Sequence, residues 1–180
     1  GNVAVTGLLT VSAAGQTITL GDGVGETTNF GSLDFLGAAV TITEDSTMAI
    51  AESAATGALS LTASGAITQT GAIDADSTSS FSAGTNAITL AHASNDFTGA
   101  VSLSNSGAND VSIRDANAID LGTVAVGQDL TVQAGGAVTD SANVAVTGLL
   151  TISASGQTIT LGDGAGETTN FGSLDFLGAA

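Results

Sequence analysis

Two side chains in this 180-residue chain could bring positive charge to a reaction: His92, its single histidine, and Arg114, its single Lys or Arg. Setting Ile88-Thr89-Leu90 beside Val111-Ser112-Ile113 as neighbouring strands places His92 next to Asp115 and Ala91 next to Arg114. An imidazole beside a carboxylate is the beginning of an acid–base pair. The constellation goes no further, because a catalytic site needs several convergent groups and neither cation has a second His or Lys near it in sequence. A surface ion pair accounts for both residues, and the expectation is no catalytic residue and no enzyme.

Two glycine-rich segments gather carboxylates at short spacing, Gly21-Asp22-Gly23-Val24-Gly25-Glu26 and Gly162-Asp163-Gly164-Ala165-Gly166-Glu167. Asp22, Glu26, Asp163 and Glu167 are the candidate ligands for Ca²⁺, the one cofactor the sequence brings to mind. Neither the calcium-binding nonapeptide nor the EF-hand spacing is present. A corner in which glycine supplies positive φ and acids keep the surface soluble explains both segments without a metal. A polar file Thr19, Thr41, Thr68, Thr89, Ser112, Thr139 and Thr160 follows from aligning the second strand of each unit. Ice binding would need a regular doubled column, whereas Asp110 and Arg114 interrupt this one. Cross-strand pairing of β-branched residues suffices for it.

The charge balance removes whole classes of partner. Seventeen acids against one base give a formal charge of −16, so no basic face exists to release counterions from nucleic acid or to seek anionic lipid. No cysteine is present, so there is no disulfide framework and no thiolate metal site. No apolar run approaches the ~20 residues of a membrane helix. Short strands with neither Trp nor Tyr also argue against a transmembrane barrel. The start Gly1-Asn2-Val3 lacks a basic region and apolar stretch, and reads as a mature fragment. With 43% hydrophobic residues, 3% aromatic and 25 glycines, the chain can form a core, and its core is one of small aliphatics.

The elements that would position any site come from a repeat. Residues 2–39 recur as 143–180, displaced by 141, with three changes: Val11 to Ile152, Ala14 to Ser155 and Val24 to Ala165. The chain reads as one 141-residue repeat (2–142) and the start of the next (143–180), a single segment over 1–180 cut from a longer array. Inside it, apolar-polar-apolar triplets alternate at period two between Gly, Asn, Asp and Ser turns. That pattern is three short strands per coil of an all-β solenoid without significant helix. Cutting at Gly31, Gly57, Ser79, Gly99, Gly127 and Gly148 gives six coils of 20 to 28 residues. The inward positions are then Leu9, Val11, Ile18, Leu20, Leu33, Phe35, Val40, Ile42, Leu59, Leu61, Ile67, Phe81, Ile88 and Leu90. They continue through Val101, Leu103, Val111, Ile113, Leu130, Val132, Val138, Leu150, Ile152, Ile159 and Leu161.

The runs Asp96-Phe97-Thr98-Gly99-Ala100-Val101, Asp115-Ala116-Asn117-Ala118-Ile119 and Asp129-Leu130-Thr131-Val132-Gln133-Ala134-Gly135-Gly136-Ala137-Val138-Thr139 resemble filamentous-haemagglutinin-type repeats. The resemblance implies a right-handed parallel β-helix in a large secreted or surface-anchored bacterial adhesin. The function expected is a non-catalytic spacer of an extracellular fibre, active in cell adhesion and biofilm. The alternative is a repetitive binding face for surface glycans or for homotypic cell–cell and matrix contacts. The partners expected are adjacent repeats of the same chain, like molecules end to end or side by side, or glycans. Nucleic acid and membrane insertion are not expected.

Overall fold

The protein is described by a computed structural model covering residues 1–179. Its strands are short, parallel and hydrogen-bonded from one turn of the chain to the next, forming a β-solenoid with no helix among the described residues. The local cause is visible in Val40–Glu44, where Val40, Ile42 and Glu44 are buried while Thr41 faces solvent. Alternate side chains of a strand point to opposite faces, so one face fills the interior and the other meets water.

The registers define files of stacked residues. One runs Ile18, Val40, Leu59, Ser79, Val101, Leu121, Asp140. A second runs Met48, Ile67, Ile88, Val111, Leu130, Leu150, Leu174, and a third runs Ala13, Gly37, Ala55, Ala75, Phe97. Stacking like on like yields one continuous core from Ile18 to Ala154.

A turn advances the chain by as little as 17 residues, from Leu33 to Ile50, and by as many as 24, from Leu9 to Leu33. Following the second side from Leu9 gives Leu33, Ile50, Gln69, Leu90, Ile113, Val132 and Ile152, which is seven steps. An eighth step reaches Phe176. The 141-residue displacement therefore spans seven turns, not six coils. The six-unit division joined Leu33, Leu59 and Leu130 as equivalents, whereas Leu33 stacks on Ile50, Leu59 on Val40, and Leu130 on Val111. The triplet pattern alone cannot say which side of the coil a triplet occupies, because all sides obey the same alternation.

The same slip corrects the threonine file. Thr19 and Thr41 continue into Ser60, Ser80 and Ser102 on one side. Thr68, Thr89 and Ser112 continue into Thr131, Thr151 and Asp175 on another. Thr139 pairs with Asp120 on neither of these. Most of the expected inward residues are buried; Leu9, Val11, Leu20, Ile159 and Leu161 are half-buried. These five belong to the first or last turns of the stack, which have a neighbour on one side only.

Candidate functional site

The polar groups with chemistry to offer sit where turns of unequal length fail to match. A ladder shift leaves a backbone N–H without its carbonyl, and a side chain from an adjacent turn accepts that hydrogen bond instead. Phe30 N–H donates to Glu44 Oε1 at 3.2 Å, Phe35 N–H to Ser53 Oγ at 3.1 Å, and Phe97 N–H to Asp115 Oδ2 at 3.0 Å. In the opposite direction, Gly127 N–H donates to Asn105 Oδ1 and Leu149 N–H to Asp129 Oδ1.

Asn95, fully buried, is the densest of these junctions. Its Oδ1 accepts from Ile73 N–H at 3.0 Å and Gln69 Nε2 at 2.8 Å. Its Nδ2 donates to Gln69 Oε1 and lies within hydrogen-bond range of the carbonyls of Leu90 and Arg114. One amide thus ties four turns together, since Asn95 follows Leu90 on its own turn and reaches two neighbours on either side.

Two of the inward acids have altered proton affinity. Glu44 is 0% exposed and burial pushes its carboxyl up to about 6, against opposing hydrogen bonds from Phe30 and Ser46. Its second oxygen, Oε2, is buried without a hydrogen-bond partner. Burial likewise raises Asp115, although the N–H groups of Asn117 and Phe97 work against the shift. Asp74 is also raised, by burial and then by Asp76 and Asp96, the latter its register partner on the next turn.

The residues singled out from the sequence are only partly brought together. His92 Nδ1 accepts from Ser94 N–H, and Asp115 faces Phe97 and Asn117, so the expected pairing of His92 with Asp115 does not form. Arg114 has no ion pair either: among the described residues the one ion pair joins the Gly1 ammonium to Glu26. That hydrogen-bonded ammonium holds the Glu26 carboxyl below its usual range.

Asp163 and Glu167 do meet, and a third carboxylate joins them. Oxygens of Asp140, Asp163 and Glu167 lie within 4.8 Å of one another. Asp140 is already engaged, accepting from Gly162 N–H at 2.8 Å and from Thr169 Oγ1 at 3.3 Å. Asp22 and Glu26 have no such third acid, because the position equivalent to Asp140 falls before Gly1. Glycine does what was expected of these corners: Gly21 and Gly162 both have φ +70°. Glu44, Asp115 and Asp140 escaped the sequence reading, yet each carries a signal. In Val40-Thr41-Ile42-Thr43-Glu44, Val111-Ser112-Ile113-Arg114-Asp115 and Val138-Thr139-Asp140 the acid falls on the apolar parity of its strand.

Fold and site together define a tandem-repeat β-solenoid whose buried polar groups serve the stacking of turns. The chain belongs to the family described as Repeats of unknown function (DUF5649), whose model matches residues 37–104 and 108–174. No curated protein and no solved structure matches it. The two matches begin 71 residues apart (108 − 37), about half of the 141-residue repeat. That offset carries Glu44 onto Asp115 and Val40–Glu44 onto Val111–Asp115. The two buried acids that cap a phenylalanine N–H are thus the same family position used twice.

Proposed function

We propose that this chain is a spacer segment of an elongated bacterial surface or secreted fibre, holding a distal adhesive region at a distance set by repeat number. The observation that carries the reading is the unbroken parallel stack of about eight turns around one core, repeating in sequence after seven. Each turn offers the next a surface like its own, so the structure can be lengthened by whole repeats. The filamentous-haemagglutinin-type resemblance supports the placement at the cell surface and the role in adhesion and biofilm. On this reading the working parts are the inward Leu, Ile and Val files and the polar caps.

The test is a series of chains with one, two and three copies of the 141-residue repeat, measured by small-angle scattering. At ~4.8 Å per turn, seven turns add about 34 Å per copy at constant cross-section. A radius of gyration that does not grow with copy number would remove the spacer role. Antibody labelling of intact source cells carrying the full-length protein tests the surface placement separately.

A further inference from the structure

Arg114 is the single side chain among 180 residues that carries a permanent positive charge, against 17 acids. It is exposed, and no carboxylate pairs with it among the described residues. Its sequence neighbour Asp115 has turned inward, both oxygens taken by N–H groups of Phe97 and Asn117. The fold uses the Arg114 carbonyl, which accepts from Asn95. It has no need of the guanidinium: the equivalent family position holds Thr43, whose strand keeps the same ladder.

Around the guanidinium the surface is concave and polar. A groove of about 470 Å³ is lined by Arg114, Gln133, Ser153 and Ser155, with Ala93 and Gly135 among its other walls. Arg114, Gln133 and Ser153 are in register on three successive turns, so the groove crosses the turns along the solenoid axis. Successive turns lie ~4.8 Å apart, close to the length of one sugar unit in an extended glycan. Ser155 is one of the three changes between copies, replacing Ala14, and it adds a hydroxyl to this groove.

We propose that the groove over Arg114, Gln133, Ser153 and Ser155 is a binding site for the carboxylate-bearing sugar units of an extended acidic glycan. The guanidinium fork matches a carboxylate in two parallel hydrogen bonds. Gln133 and the serines offer neutral donors and acceptors to the hydroxyls of the adjoining sugars. A carboxylate from a second copy of the chain is a poorer occupant, because it arrives with a body of charge −16. One charge-assisted pair makes each contact weak, and recurrence once per long repeat lets an array hold a polymer by multivalency. This site does not depend on the spacer role: either can fail without the other.

Amide signals of the isotope-labelled 180-residue protein, titrated with a short oligogalacturonate, should shift at Arg114, Gln133, Ser153 and Ser155. The methyl-esterified oligomer, equal in length but uncharged, should leave them unmoved. Arg114→Gln should weaken binding about tenfold or more with an unchanged melting temperature. Ser155→Ala, which restores the residue of the first copy, should weaken it less. Added salt should weaken binding to wild type, as expected of an exposed charge pair. Absence of shifts, shifts centred elsewhere, equal binding of the ester, or binding that survives Arg114→Gln each overturns the site. Arg114→Lys keeps the charge but loses the fork; an affinity equal to wild type would overturn the bidentate geometry and with it the preference for carboxylate.

Discussion

A carboxylate buried away from cations is tolerated only as far as its hydrogen bonds offset the lost hydration. Glu44 has two such bonds, both on Oε1, and none on Oε2. Its folded value of about 6 lies above the ordinary 4.5. The native state therefore binds this proton more tightly than the unfolded chain does. The stabilisation is fully present below about pH 4.5 and is lost as pH rises through about 6. The shift corresponds to roughly 2 kcal/mol. Glu44→Gln cannot titrate, so urea unfolding at about pH 5 and about pH 8 should show a smaller stability difference than wild type. An unchanged difference would place the titration elsewhere, with Asp115 and Asp74, whose carboxyls are also raised, as the next groups to substitute. Asn95 makes a different prediction at the same scale. Asn95→Ala strips partners from Ile73 N–H and Gln69 inside the stack, so a loss of about 3 kcal/mol or more is expected in denaturant unfolding. These acids were legible in part: an Asp or Glu on the apolar parity of a strand is visible in the sequence. Which N–H it caps was not legible, since that depends on a mismatch between turns that no single strand reveals.

At the scale of the strand and its corner, alternation was enough to identify strands, and the Gly, Asn and Asp clusters were enough to identify turns. Side assignment failed because Val40-Thr41-Ile42 and Leu33-Asp34-Phe35 carry the same pattern although they lie on different files. Only the count of residues between partners separates them, and that count varies from 17 to 24. The variation is absorbed at corners, where backbone of one turn presses on the next. Gly127 shows the limit of that closeness: a Cβ there would lie 2.4 Å from the Gly107 carbonyl oxygen and 2.6 Å from its nitrogen. Because both obstacles are backbone, Gly127→Ala must displace a turn, and thermal or denaturant unfolding should show a loss of about 1–3 kcal/mol. Gly7→Ala is the matched control, with nothing within 4 Å of its Cβ, and should fall within about 0.5 kcal/mol of wild type. Comparable losses at both sites would mean that the corners are loosely stacked.

For the whole molecule, burial follows position in the stack more closely than residue identity. Leu33 and Phe35 are 0% and 1% exposed, while their copies Leu174 and Phe176 are 41% and 63% exposed. The sequences around them are the same; what differs is that Leu33 has Ile50 over it on the following turn. Stability in such an array is a sum of turns and of the interfaces between them, with half an interface missing at each end. Lengthening the chain beyond Ala180 with a copy of residues 40–56 would set the equivalents of Val40, Met48 and Ile50 over Leu174 and Phe176. Covering two large apolar side chains contributes about 1.5–3 kcal/mol each when burial is complete, and less here because both are already partly covered. The extended chain should therefore melt higher than the 180-residue chain, with a larger denaturant m-value because more surface is exposed on unfolding. The same extension carrying Asp in place of Ile50's copy should lose most of that gain. A gain insensitive to that substitution would mean that the added residues do not continue the register that Leu33 and Ile50 define.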